Sequence, residues 1–186
     1  MLTRQQRSTN RRIASVLAIT ICVLTSSASA QEPEKSSSGN PSFLWGVTKQ
    51  VIFDPTTYAP AAIAYDATKR DWNTSQPLFR NGYVEKNPRF TVSGFPNDIP
   101  MSYQDGNRRI LDDALVNLQV SLVNNFTDRI LERVLLEKYP EHRKLVRTLG
   151  WVERIGFGTY MSYLLSSQHY RQANVNAEMA LAMGFR

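Results

Sequence analysis

The groups in this chain that could move a proton or hold a metal are two histidines and a scatter of carboxylates. His169 stands in Ser166-Ser167-Gln168-His169-Tyr170-Arg171, near the end of an apolar helical stretch and beside two serines, which makes it the better general base of the two, although a hydrogen-bonded structural histidine is the simpler account. His142, in Glu141-His142-Arg143-Lys144, is ringed by charge at a helix start. The two are not spaced as an i, i+4 zinc pair and no HExxH occurs, so no metal site is expected. A serine triad would need an exposed nucleophile, and no GxSxG elbow is present. Asp54, Asp66, Asp71, Glu85, Asp98 and Asp105 surround an irregular stretch. Two of them brought together could hydrolyse a glycoside or bind Ca²⁺, but their spacing selects no pair and no EF-hand pattern occurs. Asp54 reads as an N-cap, and Asp98 and Asp105 as turn residues. If the chain is a hydrolase, its base is His169 or a carboxylate such as Asp98, under the segment 80–106. Gly156-Phe157-Gly158 has Met161 where a dinucleotide fingerprint needs its third glycine, and no strand precedes it, so helix packing accounts for it and no cofactor is expected.

Charge and aromatic rings mark possible contact surfaces. Arg143, Lys144 and Arg147 crowd the first turns of a helix, where the macrodipole disfavours positive charge; an acidic partner such as phospholipid headgroups would suit that placement. A solvated face partly neutralised by Glu137 and Glu141 is the simpler account. Tyr160, Tyr163 and Tyr170 lie near one helical stripe, and Trp45, Trp72 and Trp151 add rings that suit either an interface or a core reaching one hydrogen bond.

The N-terminal thirty residues bear on the compartment. Arg4, Arg7, Arg11 and Arg12 form a basic start, Ile13 to Leu24 is an apolar run, and Ala28-Ser29-Ala30 is the small-x-small pattern of a secretory signal cut near Ala30. The run is shorter than the roughly 20 residues that a membrane span needs, although an anchor that is kept remains the competing expectation. The whole chain counts 22 basic and 16 acidic residues, net +6; four of the basic ones lie in the leader, so the exported part is near +2. That removes most of the excess on which nucleic-acid binding depends, and no nucleic-acid partner is expected. The one cysteine, Cys22, leaves as well, taking with it any disulfide or thiolate chemistry. The two glycosylation-type triplets, Asn73-Thr74-Ser75 and Asn125-Phe126-Thr127, then read as coincidence in a leader of bacterial style.

What positions these groups is a set of helices. Residues 31–42 carry no large apolar side chain and read as a disordered leader. Order is expected from Phe43, as a short helix. A second helix starts at Asp54-Pro55, or near Ala59 if Pro60 defers it, and runs to about Trp72, with Pro77 closing the segment. Residues 80–106 are broken by Gly82, Pro88, Gly94, Pro96, Pro100 and Gly106, with room for a brief strand at 89–93. Such a segment either carries function or drapes over the apolar seams of the helices. Ile110, Leu111, Ala114, Leu115, Leu118, Leu122, Phe126, Ile130 and Val134 then recur at intervals of three and four, giving a long helix capped by Asn107 and stopped by Pro140, with Arg129/Glu132 and Arg133/Glu137 as surface pairs. A last helical region runs from Glu141. Gly150, Gly156 and Gly158 allow close approach, and 155–165 is apolar enough for a buried centre. Asn174 and Asn176 interrupt it before a short final helix, Ala177 to Met183.

The expected fold is mainly α, a bundle of about four helices with a long irregular Gly/Pro-rich insertion, forming one domain over 43–186. The expected role is non-enzymatic binding or structure at the bacterial cell envelope, periplasmic or secreted, with an envelope protein or anionic membrane surface as partner. A small exported hydrolase and a membrane-anchored protein are the alternatives.

Overall fold

The computed structural model describes residues 41–185, and the side chains of 43–185. The signal 1–30, its cleavage, and the leader as far as residue 40 lie outside the described residues. Four α-helices follow: α1 (Pro41–Ile52), α2 (Ala59–Arg80), α3 (Tyr103–Lys138) and α4 (Arg143–Ala182). Single 3-10 turns at Pro55–Thr57, Pro88–Phe90 and Pro140–His142 punctuate the connections. Over the described residues the chain is thus the mainly α bundle of four helices that its periodicity implies. α2 packs most extensively on α4 and next on α3, and α3 on α4.

The helix boundaries show where packing overrode local signals. Asp54 caps as expected, accepting from the Thr56 amide at 3.1 Å and hydroxyl at 2.7 Å, but what it caps is one 3-10 turn. α2 begins at Ala59 and runs past Trp72 and through Pro77 to Arg80, beyond the expected end. A proline so near the end of a helix forfeits one amide bond. Burial of Leu78 and the tilted contact of Phe79 with Trp72, with ring centroids 5.6 Å apart, carry the last turn onward.

α3 starts one turn before Asn107. Ser102 accepts from the Asp105 amide at 3.1 Å as the N-cap, and its hydroxyl donates to the Asp105 carboxylate at 2.6 Å. The turn signature Asp105-Gly106-Asn107 therefore lies inside the helix. Gly106 is there because Trp72 lies against it: a Cβ would overlap the indole ring and fall 2.7 Å from Nε1. Trp72, Phe90 and Ile110, with Phe79 and Met101 beside them, form the core of this end of the bundle.

The brief strand expected at 89–93 does not form. Pro88 lacks an amide, Asn87 caps a 3-10 turn, and Phe90 turns inward onto Trp72 at 5.3 Å. Two isolated antiparallel bridges, Glu85 with Asp98 and Thr91 with Pro100, close the insertion on itself, with Asn97 at φ 60° in the bend. The segment drapes over the core and also roofs a cleft.

α4 is unbroken from Arg143 to Ala182. The expected interruption at Asn174 and Asn176 is absent because the Asn176 side chain is buried and bonds across to α2, instead of competing with its own backbone. Residues 155–165 are not a buried centre either. Ile155, Tyr160, Tyr163 and Leu164 are exposed, and only the opposite side of this turn, at Gly158, is buried.

Candidate functional site

The pairing of α2 with α4 brings together polar groups from one face of each. On α2 these are Asp71 and Ser75; on α4, His169, Gln172 and Asn176, at intervals of three and four. His169 Nδ1 lies 2.8 Å from Asp71 Oδ2. An ionised carboxylate only accepts, so Nδ1 carries the hydrogen and donates it. Asn176 fixes the other carboxylate oxygen from 3.0 Å and also donates to Ser75 at 2.8 Å, while Gln172 donates to Asn176 at 2.8 Å. The imidazole is thereby held in one tautomer. Nε2, with no protein partner among the described residues, is the basic atom that His169 offers to the cleft it lines.

That cleft measures about 370 Å³ and lies beneath residues 83–90. Trp72, Leu78, Phe79, Val84, Phe90 and Met179 form its apolar walls. Glu85 brings a third titratable group. Its Oε1 accepts from the Asn87 amide at 2.6 Å, yet burial pushes its carboxyl above the ordinary range, and the negative charge of Asp71 adds to the rise.

The raised Glu85 carboxyl has a measurable consequence. The folded state holds this proton more tightly than the unfolded state does, so the group's contribution to stability is full at low pH and is lost as pH rises through its folded value. Glu85→Gln, which keeps an acceptor for Asn87, is expected to be more stable than the parent near neutral pH. The difference should vanish at about pH 4, below the ordinary glutamate value of 4.5. Urea midpoints at the two pH values test this, and a gain of equal size at both would contradict it.

A second polar cluster joins the 3-10 turn, α3 and α4. Arg154, with 4% of its side chain exposed, reaches Asp54 at 3.3 Å, Glu132 at 2.9 Å and Asp128. Arg129 reaches Asp54 at 2.8 Å and Glu132 at 3.3 Å. Burial raises Asp128 against the pull of Arg154. Burial also favours raising Asp54, but the Thr56 hydroxyl and amide and the Arg129 guanidinium outweigh it, so that carboxyl sits below its ordinary value. The Arg129/Glu132 pair is therefore largely buried rather than a surface pair. Asn125 donates to Thr57 at 2.8 Å and Thr56 at 3.0 Å, and Gly150 leaves the room that the cluster occupies: a Cβ there would stand 3.0 Å from Glu132.

Of the residues singled out from the sequence, His169 lines the cleft. Asp98 does not: its carboxyl is held down by the Ser93 hydroxyl and the Ile99 amide, and its backbone pairs with Glu85 at 2.9 and 3.2 Å. The carboxylates that meet His169 are Asp71 and Glu85. Arg143, Lys144 and Arg147 are exposed in the first turns of α4, roughly 35 Å along its axis from His169 at 1.5 Å per residue. Arg154 and Asp128 carried no local signal. Among the described residues no group of three or more His, Cys, Asp and Glu is placed to hold a metal ion, and no helix is long and apolar enough to cross a membrane. Comparison with protein-family models, with curated proteins and with solved structures finds no match for this chain.

Proposed function

We propose that this is an exported helical protein of the bacterial envelope that binds an anionic membrane surface. The observation that carries the reading is the outer face of α4. Leu145, Leu149, Val152, Tyr160 and Tyr163 return at helical spacing with 54–69% of each residue exposed. Apolar and tyrosine side chains so arranged suit the boundary between headgroups and acyl chains. Arg143, Lys144 and Arg147 at the start of the same helix supply the charge that anionic headgroups attract. The basic, apolar and small-residue pattern of residues 1–30 supports export.

Co-sedimentation with vesicles tests this. Binding is expected to phosphatidylglycerol vesicles and not to phosphatidylcholine ones. Reversing Arg143, Lys144 and Arg147 to glutamate is expected to weaken it about 100-fold or more, since each juxtamembrane cation contributes about 1 kcal/mol. No binding to either vesicle, or binding that ignores the reversal, would reject the membrane partner; capture of an envelope protein through the same face would replace it. Sequencing the mature N-terminus tests export, with an intact Met1 favouring the anchored alternative.

A specific observation favours the second reading, a small exported hydrolase with its site under 80–106. His169 is oriented by Asp71 in a cleft roofed by that segment, the arrangement a general base needs.

A further inference from the structure

We infer that the cleft between α2, α4 and residues 83–90 is built to hydrolyse a neutral ester with an apolar acyl chain, with His169 as general base, Asp71 as the residue that positions it and Glu85 as the acid. This rests on the hydrolase reading and adds its substrate class.

The substrate class follows from which groups are occupied. Both oxygens of Asp71 are taken, one by His169 and one by Asn176, so it is unavailable as a nucleophile or as a second acid. A glycosidase would need two carboxyls at work across the scissile bond, and here one remains, Glu85. A phosphate ester would bring negative charge toward the Asp71 carboxylate, with Lys86 the one lysine or arginine on the lining to offset it. A neutral acyl ester meets neither obstacle. Trp72, Phe79, Phe90 and Met179 give its chain an apolar wall within the 370 Å³ available.

The chemistry balances without a cofactor. His169 Nε2 takes a proton from water as the water oxygen bonds to the acyl carbon. The carbon–oxygen bond to the alcohol then breaks, and the Glu85 carboxyl gives its proton to the departing oxygen. Solvent carries the proton from His169 back to Glu85, and ester plus water has become acid plus alcohol. Asp71 keeps Nδ1 protonated and stabilises the imidazolium while it exists, the division of labour known from serine hydrolases.

The test uses the full chain with p-nitrophenyl octanoate and tributyrin as probes. Wild type is expected to hydrolyse both. His169→Ala, and His169→Gln as a variant that keeps a donor toward Asp71 without a basic atom, are expected to lose at least about 100-fold in kcat with helical circular dichroism intact. Asp71→Asn is expected to lower kcat with KM little changed, a split that a purely structural role would not produce. Glu85→Gln is expected to impair tributyrin more than the p-nitrophenyl ester, whose leaving group needs less help from an acid. Ester turnover that survives both His169 variants would overturn the site. Turnover of a p-nitrophenyl glycoside or phosphate but of neither ester, lost with His169, would overturn the substrate class and leave the hydrolase reading standing. No turnover of any of the four would reject both.

Discussion

Arg154→Ala is expected to destabilise the protein by about 3–5 kcal/mol, the range for removing one partner of a buried ionic network. The side chain is almost wholly enclosed and bridges Asp54, Asp128 and Glu132, whose own side chains are 10–12% exposed. Without it Arg129 still pairs with Asp54 and Glu132, and Asp128 loses the guanidinium bonded to it. Arg154→Lys is expected to recover a minor part of the loss, because a single ammonium cannot span three carboxylates as a planar guanidinium does. The deficit of the alanine variant is expected to shrink as pH falls from 7 towards 5. Asp128 already holds its proton more tightly than an ordinary aspartate, and loss of Arg154 removes the main influence opposing that rise. Urea unfolding at the two pH values measures this. A loss under about 1 kcal/mol, equal at both, would show that the cluster is relaxed and solvated rather than buried and coupled.

Gly106→Ala is expected to cost about 2–3 kcal/mol, in spite of the gain of up to about 1 kcal/mol that alanine brings to a helix interior. The new methyl would overlap the indole of Trp72, which is 3% exposed and lies between Phe79 and Phe90. The ring cannot withdraw without displacing Phe90, and Phe90 anchors the roof of the cleft. Faster proteolysis within 83–100 is therefore expected along with the lowered urea midpoint. Gly156→Ala is the internal control. A Cβ there meets nothing within 4 Å, so it is expected to stabilise by about 0.5–1 kcal/mol. If both substitutions stabilised, the close approach of Gly106 to Trp72 would be wrong.

The long helices were legible in the sequence because one face of each repeats at three and four residues, and a helix that buries one face needs little else. The Asp54 cap and the stop at Pro140 were legible for a similar reason: each acts through backbone atoms within a few residues of itself. Boundaries decided by distant contacts were not. Asp105-Gly106-Asn107 has the local chemistry of a turn, but the absence of a side chain at Gly106 serves Trp72, 34 positions earlier. Asn174 and Asn176 read as a break because asparagine competes with helical amides, and only the partners on α2 show that Asn176 is engaged elsewhere.

The cleft divides in the same way. Residue types alone marked His169 as the one histidine in a setting that could do acid–base work, and the unfavourable placement of Arg143, Lys144 and Arg147 at a helix start marked a charged surface. Helix content and the absence of common motifs were equally settled by short-range pattern. Which carboxylate meets His169 was settled by the packing of α2 on α4, across 98 positions of chain, since a hydrogen bond needs a separation near 3 Å that spacing along a flexible connection does not encode. The same holds for Arg154 and its three carboxylates: the sequence contains every charge, and tertiary contact alone chooses the pairs.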